Sequence, residues 1–416
     1  MSQQPTDKDI LVIGAGIIGL TTALRLASLG REVTLLDPAA PASGASYGNA
    51  GTIADYAVMP VGSPQVLRNL PALLLDRNSP LAIRRAAILT LAPWLARFFV
   101  QSLPANTLAN IKALVPLVSD AAPRWQALAN ETKASPVLQA GGCLYLYTNK
   151  QQYAAGQRDI KYRKTLGING HLMSPEALAH LEPNLPMLDG GAAFFPDAVF
   201  LRDPSEACEL IFSAAQAQGV EYLAHQATEI RQHKQGVRVT LDNGRQLQAS
   251  QVVIAAGAHS KNLARQAGDK IPLETERGYH LEYDCPQPLL QRPACASAGG
   301  FYMTPMSGRL RVAGTVELGG LSPAPSQHRL DCLQRGTAEF FPALAQPQRT
   351  WLGFRPSLPD SRPVISASRY GNKVVYAFGH GHIGLTLAPI TADAVAALIM
   401  DTTPPLDLAP YSAQRF

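Results

Sequence analysis

The sequence predicts an α/β protein, and three of its features support that fold class. A strand, a glycine-rich turn, a helix and a second strand follow one another over residues 9–38. Two alternating strands flank a hairpin signal, Asp-Asn-Gly at 242–244, and a second strand–turn–helix pattern spans residues 372–399. These segments predict a Rossmann-like nucleotide-binding domain that is interleaved with a mixed-sheet (α+β) domain under a helical cover.

The composition excludes several classes of function. The chain has 416 residues, of which 46% are hydrophobic and 16% charged, enough for two domains with large cores. Its net charge of +5 is not concentrated in any Lys/Arg run, which argues against nucleic-acid binding and suits an anionic small substrate. The five cysteines are unclustered and no signal peptide precedes the first strand. We therefore expect a cytoplasmic protein, either free or held peripherally on the inner face of the cell membrane.

Residues 9–38 contain the parts of a dinucleotide site. Gly14, Gly16 and Gly19 have the G-x-G-x-x-G spacing between an apolar strand and a helix. The first glycine permits the tight turn, the second lets a pyrophosphate approach, and the third lets helix and strand pack closely. The helix N-terminus favours the phosphate charge, and Asp37, at the end of the second strand, can accept hydrogen bonds from a ribose. A glycine-rich turn without a ligand is the alternative.

The loop after this motif favours FAD over NAD. Residues 41–56 are small, polar and rich in glycine, with Ser43, Ser46 and Asn49 near the centre. A nicotinamide-binding domain would normally continue with its next β–α unit. An irregular chain of small residues instead suits backbone amides that approach a second phosphate and a flat ring. A plain surface loop is the alternative.

Six segments of this chain, in this order, resemble the FAD-dependent D-amino-acid oxidase/dehydrogenase superfamily. They are VIGAGIIGLTTALRLASLGREVTLLD, ASYGNAG, VVIAAGAHS, RLRVAGTVE, GFRPSLPDSRPVI and GHGHIGLTLAP. The resemblance covers essentially the whole chain and is closest to the bacterial D-amino-acid dehydrogenases and their D-hydroxyproline dehydrogenase relatives. It implies noncovalent FAD, because no cysteine stands where the family attaches flavin covalently. The family often has Glu where this chain has Asp37, a small departure.

The motifs and the resemblance together imply a set of cofactor-binding residues and a division into domains. The predicted cofactor-binding residues are Gly14, Gly16, Ile17, Ile18, Gly19, Asp37, Pro38, Ser43, Ala45, Ser46, Asn49, Ala50, Gly51, Thr228, Ala256, Gly257, Gly381, His382, Ile383, Gly384, Leu385 and Thr386. We expect a discontinuous FAD-binding domain from residues 1–80, 200–270 and 348–416, and a substrate-binding domain from residues 81–199 and 271–347.

An enzyme that oxidises an amino acid needs an anchor for the substrate carboxylate. Arg355 lies in a proline-stiffened stretch, can pair with a carboxylate through two hydrogen bonds, and resembles the family's carboxylate-binding arginine. An ion pair with Asp360 is the alternative. Tyr279 and Tyr302, both in predicted strands, are candidates to bind the carboxylate or cover the substrate, with burial in the core as the alternative.

The segment GHGHIGLTLAP predicts a glycine turn that leads into a helix from about Thr386. Free amides from Ile383 to Leu387 would stabilise the negative charge that gathers on a reduced flavin. His380 and His382 then lie beside the ring, and His382 is the better candidate for touching the substrate. No third ligand accompanies the two histidines, so we predict no metal site.

These observations predict an FAD-dependent dehydrogenase that oxidises a D-amino acid or a cyclic secondary amino acid, such as D-proline or D-hydroxyproline. Hydride would pass to flavin N5, and the electrons would pass to a quinone-type acceptor or the respiratory chain. The alternatives are an O2-using oxidase of the same fold (acting on glycine, sarcosine or a D-amino acid), the flavin subunit of a heteromeric complex, and a related hydroxy-acid or glycerol-phosphate dehydrogenase. The arginine-flanked apolar segment 81–100 could contact a membrane surface or a partner subunit.

Overall fold

Helices and strands alternate along the described part of the chain, which in this computed structural model is residues 6–76, 79, 81–321 and 324–416. In chain order the strands are β1 (Thr6–Ile13), β2 (Val33–Leu36), β3 (Thr52–Ile53), β4 (Leu81–Ile83), β5 (Leu138–Ala140), β6 (Cys143–Leu146), β7 (His171–Met173), β8 (Ala192–Phe195), β9 (Val199–Leu201), β10 (Glu221–Leu223), β11 (Ala227–His233), β12 (Gly236–Leu241), β13 (Gln246–Ile254), β14 (Glu274–Asp284), β15 (Ala294–Ala296), β16 (Phe301–Met306), β17 (Arg309–Leu318), β18 (Arg349–Ser357), β19 (Val364–Ser368) and β20 (Gly371–Phe378). The helices are α1 (Ile17–Ser28), α2 (Pro64–Leu75), α3 (Ile88–Gln101), α4 (Pro104–Val118), α5 (Ala121–Glu131), α6 (Lys150–Thr165), α7 (Pro175–Leu181), α8 (Pro204–Ala217), α9 (Ser260–Gln266), α10 (Gln327–Ala338) and α11 (Gly384–Met400).

The first sheet has a parallel centre, as the motif at the N-terminus predicts. Its strands run in the order β10–β2–β1–β13–β20, and β19 lies antiparallel to β20. Ile10, Leu11 and Val12 of β1 have no exposed surface, because helices and loops cover both faces of the sheet. The predicted hairpin is present at 242–244, and the strand after it, β13, continues without a break to Ile254. Its first half pairs with β12 and its second half with β20.

Two helices bring their N-termini to the same edge of this sheet. α1 follows β1 and α11 follows β20, and these two strands lie on either side of β13. The helices pack against each other on one face, and the Thr21 hydroxyl donates to the Ala388 carbonyl at 3.3 Å. The carboxyl ends of parallel strands therefore meet two helix starts, which is where ligands bind in open α/β sheets.

The second sheet is mostly antiparallel and supplies the other wall of the site. Its order is β18–β14–β17–β16–β15–β6–β8–β7, with β4 beside β17. α10 packs against β14 and β17. β18 pairs with β14 along its whole length, so the segment 349–357 belongs to this sheet. This corrects the expected domain boundary at 348, which assigns that segment to the FAD-binding domain.

A small sheet and a layer of helices complete the molecule. β9 pairs with β3 and β5, and the layer of helices consists of α2, α3, α4 and α5. The indole of Trp125 in α5 donates to the Leu385 carbonyl at 2.8 Å, which holds the layer to α11. None of the helices in the described residues has both the length and the apolarity needed to cross a membrane. The mixed sheets and their helices confirm the predicted α/β class.

Candidate active site

A large cavity of about 1340 Å³ lies between the two sheets. The residues that follow β1, β2, β13 and β20 line one end, and residues of β14, β16, β17 and β18 line the other. Typical small-molecule pockets are roughly 300–1000 Å³, so this cavity can hold a cofactor together with a substrate. Among the described residues that line it, none is a cysteine.

Most of the predicted site residues line this one cavity. They are Gly14, Gly16, Ile17, Ile18, Asp37, Pro38, Ser43, Ala45, Ser46, Asn49, Ala50, Thr228, Ala256, Gly257, Tyr302, Arg355, Gly381, His382, Ile383, Gly384, Leu385 and Thr386. Three predicted residues, Gly19, Gly51 and Tyr279, are not part of the lining.

The glycine turn after β1 is set by close backbone packing. Gly14 has φ +108, and a Cβ at this position would lie 2.4 Å from the Ala255 carbonyl oxygen. A Cβ on Gly19 would lie 1.8 Å from the Gly14 carbonyl oxygen, so Gly19 acts in helix–strand packing, behind the surface of the cavity. The amide of Ile17, at the start of α1, donates to the Ser46 hydroxyl at 2.9 Å, which ties the turn to the following loop.

Asp37 binds two backbone amides at the nucleotide end of the cavity, which is the end lined by the residues that follow β1, β2, β13 and β20. Its carboxylate accepts the Ala15 amide at 2.8 Å through one oxygen and the Ala39 amide at 2.9 Å through the other. Each carboxylate oxygen has a second lone pair, so both can also accept from a ribose hydroxyl. Thr228, Ala256 and Gly257 line this part of the cavity too.

The loop at 46–51 is supported from the side away from the cavity. Arg311 is fully buried, pairs with Glu282 at 2.7 Å, and donates to the carbonyls of Tyr47 and Asn49 at 2.8 and 2.7 Å. Gly51 has φ +77, and a Cβ there would lie 2.6 Å from a carbonyl of β9, so this predicted cofactor contact serves the packing of the loop instead. The loop can therefore present its backbone to a flat ring without moving.

The segment at 379–386 forms the turn before α11. The Gly381 amide donates to the Pro356 carbonyl at 2.8 Å, and the Thr386 hydroxyl accepts the Ala54 amide at 3.0 Å. The helix begins at Gly384, two residues before the expected start. The amides of Ile383 and Leu387 donate to backbone carbonyls. These two residues, at the ends of the predicted group of free amides, therefore do not belong to it.

The two histidines of this turn differ in surroundings. His380 is buried, and its Nε2 lies 3.0 Å from the Thr391 hydroxyl; burial lowers the pKa of its imidazole to about 3. The His382 side chain is open to the cavity but enclosed by its walls. This enclosure and the nearby Arg355 charge lower the pKa of His382 to about 4. Both imidazoles are therefore neutral at pH 7. Both histidines line the cavity, and His382 has the more exposed side chain of the two.

Arg355 of β18 lies at the end of the cavity that residues of β14, β16, β17 and β18 line, which is the predicted substrate end. One guanidinium nitrogen donates to the Thr315 carbonyl at 3.0 Å, and the guanidinium lies against Gly278, where a Cβ would be 2.4 Å from Cζ. Burial lowers the pKa of Arg355, which nevertheless stays cationic at neutral pH. Asp360, the alternative partner, pairs instead with Arg362 and Arg415 at 2.9 and 2.7 Å.

Tyr302 of β16 lies at the same end of the cavity within a group of tyrosines. Its hydroxyl is 3.2 Å from that of Tyr145 and 3.5 Å from that of Tyr56. Burial raises the pKa of Tyr302 well above its ordinary value, so the phenol stays protonated and can donate a hydrogen bond. The small residues Ala313 and Gly314 line the cavity next to it.

Tyr279 points to the other face of the second sheet. It is 1% exposed, and its hydroxyl donates to Glu317 at 2.7 Å. The cavity instead meets Glu276 and Gly278, because successive residues of a strand face opposite sides. The expectation that Tyr279 covers the substrate is thus corrected: this tyrosine belongs to the sheet's far side.

Glu276 is the cavity-lining group that sequence reasoning missed. It is 4% exposed, and burial raises the pKa of its carboxyl despite the nearby Arg355 and a hydrogen bond from Ser357. On β14, Thr275, Glu276 and Gly278 line the cavity whereas Tyr279 does not, and no signal in the sequence marks this face. Tyr145 and Arg163 were also missed, since they come from distant segments.

The cavity fits FAD and offers no sign of a metal centre. A dinucleotide needs a close backbone turn, acceptors for its ribose and helix N-termini for its phosphates. The cavity offers these as the glycine turn that a Cβ would fill, the two oxygens of Asp37 and the starts of α1 and α11. Within the described ranges, no three His, Cys, Asp or Glu side chains come together as metal ligands would.

Sequence comparison relates this chain to a known family and to a known protein. The family model described as FAD dependent oxidoreductase matches residues 9–398. The chain is 31% identical to the D-amino-acid oxidase of Bradyrhizobium diazoefficiens, over 99% of this chain and 100% of that protein.

Solved structures share the fold along nearly the whole chain. Glycine oxidase from Geobacillus kaustophilus superposes with a TM-score of 0.81 at 22% identity, covering 99% of each chain. L-Proline dehydrogenase from P. horikoshii superposes with a TM-score of 0.76 at 22% identity, covering 99% of this chain and 98% of that one.

Proposed function

Because this chain belongs to the FAD dependent oxidoreductase family, we propose that it oxidises a D-amino acid or a cyclic secondary amino acid to the corresponding imino acid. FAD is its cofactor, and amino acids are the substrate class that its curated relative suggests. A substrate of the D-proline or D-hydroxyproline kind is the finer proposal. The observation that carries the proposal of an amino-acid substrate is Arg355, a cavity-facing cation that, among the described residues, donates a hydrogen bond to one carbonyl only.

The arginine has the geometry to anchor a carboxylate. Its planar group carries five N–H donors, and one of them is engaged by Thr315. The remaining donors can form two parallel hydrogen bonds to a carboxylate, which fixes both its position and its orientation. Tyr302 can add a third donor from β16, since its phenol is protonated. Ala313 and Gly314 leave room for a compact substrate between the two strands.

The residues around the substrate would orient it, while the cofactor supplies the redox chemistry. Bound FAD would accept the hydride that leaves the substrate α-carbon, a reaction that amino-acid side chains cannot perform. Arg355 would hold the carboxylate so that the reacting C–H bond points away from β18 and into the cavity. His382 is neutral at pH 7, so it adds no positive charge that would oppose the imine product. We propose that His382 contacts the substrate or the cofactor from the turn before α11.

We propose that the electrons pass to a quinone-type acceptor and that the enzyme works at a membrane surface or beside a partner subunit. Apolar side chains of α3 and the residues after it are unusually open to solvent, with Leu89 at 89%, Phe99 at 53% and Val100 at 48% exposure. Arg97 is exposed on the same helix. An apolar surface with a basic edge suits an acidic membrane, which supports this acceptor.

The proposal is tested by reduction of the purified holoenzyme. We expect a yellow protein from which heat releases noncovalently bound FAD, and whose flavin bleaches without oxygen when D-proline or a 4-hydroxyproline isomer is added. Bleaching by L-amino acids or 2-hydroxy acids alone would overturn the substrate class.

A second comparison decides the electron acceptor. Turnover should be at least tenfold faster with a quinone analogue or acceptor dye than with O2. The opposite ratio would establish the alternative, an oxidase, which the name of the 31% identical relative favours.

A further inference from the structure

One acidic group at the substrate end of the cavity has no role in anchoring a carboxylate. Glu276 lies on β14 directly opposite Arg355 on β18, and both line the cavity. Directly opposite residues of an antiparallel pair project from the same face, with Cβ atoms about 4.5–5.5 Å apart. A carboxylate and a guanidinium therefore occupy neighbouring places on one wall.

The two groups are nevertheless not joined in an ion pair. Within the described residues, no contact of 4.0 Å or less is found between their charged atoms, and Arg355 turns toward Thr315 and Gly278 instead. Glu276 receives a hydrogen bond from Ser357. One hydroxyl satisfies only part of a carboxylate, which has about four lone-pair sites.

A buried carboxylate with so few partners can still accept hydrogen bonds from a cation. Burying an ionised carboxyl is costly unless a cation or several hydrogen bonds compensate, and the raised pKa of Glu276 reflects that cost. Because Arg355 turns toward Thr315, the carboxyl of Glu276 faces the cavity, next to the place where a substrate carboxylate would bind. In an α-amino acid, the ammonium group is one carbon away from the carboxylate.

We propose that Glu276 binds the amino group of the substrate, so that Glu276 and Arg355 together recognise the zwitterion of an α-amino acid. This inference rests on the proposed function and deepens it. The acid accepts hydrogen bonds from the ammonium or cyclic secondary ammonium while the arginine donates to the carboxylate. A 2-hydroxy acid or a simple carboxylic acid offers no cation, and it leaves the buried carboxylate uncompensated. The pair therefore selects amino acids.

A further consequence is that the substrate binds to this wall in one orientation. Two opposite charges on adjacent strands define a line from β14 to β18, and the zwitterion aligns along it in one sense only. Gly278 makes this possible, because any larger residue there would displace the guanidinium. Glu276 and Arg355 thus supply two of the three contacts that are needed to select one face of the α-carbon.

The experiment compares an amino acid with its analogue that lacks nitrogen. The kcat/KM for D-proline and the competitive Ki of cyclopentanecarboxylate are measured for the wild type and for Glu276→Gln, each loaded with FAD. If glycine or D-alanine proves to be the better substrate, the pairs become glycine with acetate or D-alanine with propionate. We expect Glu276→Gln to raise KM for the amino acid at least tenfold and to change Ki of the analogue less than threefold.

A matched variant controls for the loss of a charge. Glu274 lies two residues earlier on β14 and is paired with Lys261 at 2.6 Å, so Glu274→Gln removes a carboxylate that already has its cation. We expect the ratio of KM to Ki to stay within twofold of the wild type. Should Glu276→Gln fail to fold, Glu276→Asp keeps the charge at shorter reach and should raise KM severalfold with unchanged Ki.

Two results would overturn the inference. If KM and Ki rise together, Glu276 acts by positioning Arg355; if neither changes, it does not meet the substrate. Failure of the proposed function gives a different result, since no amino acid would then bleach the flavin of the wild type.

Discussion

The two ends of the cavity are built by different means. At the nucleotide end, the contacts come from backbone at strand ends and helix starts, and Gly14 is needed because no side chain fits there. At the substrate end, Glu276, Tyr302 and Arg355 line the cavity from three strands of the second sheet, β14, β16 and β18. A backbone site tolerates almost no change at its glycines, whereas a side-chain site can change its substrate by single replacements.

The largest expected effect is at the nucleotide end. Gly14→Val should abolish FAD binding, since its Cβ would lie 2.4 Å from a backbone oxygen and valine is strained at φ +108. The flavin absorbance of the purified protein measures this. Gly16→Ala is a graded comparison, because its Cβ would lie 3.3 Å from the Ser46 hydroxyl, and it should weaken binding less. A Gly14→Val protein with full FAD would contradict the backbone argument.

A smaller effect is expected from the anchor at the substrate end. Arg355→Ala should raise KM for the amino acid by about 100-fold or more, because two charge-assisted hydrogen bonds of about 1.5 kcal/mol or more each are lost. FAD content should stay normal, which separates the two ends of the cavity. Arg231→Ala removes an exposed arginine and serves as the control. A mild effect of Arg355→Ala would assign the anchor elsewhere.

Acid should weaken the fold through its buried histidines. Burial lowers the pKa of His380 and of His280 to about 3, from an ordinary 6.5. The unfolded chain therefore takes up protons first as pH falls below 6.5, and the folded state loses stability until about pH 3. Each histidine should lower the free energy of unfolding by about 2 kcal/mol between pH 7 and pH 5.

Urea unfolding of the holoenzyme at the two pH values measures this loss. His380→Gln removes a titrating group beside α11 and should reduce the difference between the two pH values by about 2 kcal/mol. An unchanged difference would show that His380 does not titrate on unfolding.

The smallest expected effect separates the two tyrosines. Tyr302→Phe should raise KM about fivefold, since one hydrogen bond of about 1 kcal/mol is lost, and leave stability nearly unchanged. Tyr279→Phe should leave KM unchanged but lower the free energy of unfolding by about 1–3 kcal/mol, because Glu317 loses a buried donor. Steady-state kinetics and urea unfolding of both variants measure this. If Tyr279→Phe raised KM and Tyr302→Phe lowered stability, Tyr279 would be the substrate contact.

The nucleotide end could be predicted in detail because its signals are local. The glycine spacing, the acid that ends β2 and the turn before α11 each lie within a few residues of the element they serve. Steric rules for glycine and for helix starts apply there whatever the rest of the chain does. The same rules mark the residues that line the cavity at this end, although Gly19 and Gly51 serve packing rather than the lining.

The substrate end could be predicted only in part. Arg355 is predicted from its proline-stiffened segment and the family resemblance, and Tyr302 from its place in a predicted strand. The face of β14 is not predicted, so Tyr279 is named as a candidate and Glu276 is missed. Alternation shows that residues 276 and 279 lie on opposite faces without showing which face is covered by the other sheet. A shift of register between Arg277 and Tyr279, where β14 meets β17, further disturbs the pattern.

The sequence by itself determined the dinucleotide turn and the α/β class and identified Arg355 as a candidate anchor, since each depends on residues close together in the chain. Tertiary structure decided which sheet β18 joins, which face of β14 meets the cavity, and that Glu276 stands beside Arg355. The physical reason is that strand pairing joins residues some eighty positions apart. Which side chains are neighbours, and which face of the sheet meets the cavity, depend on that pairing.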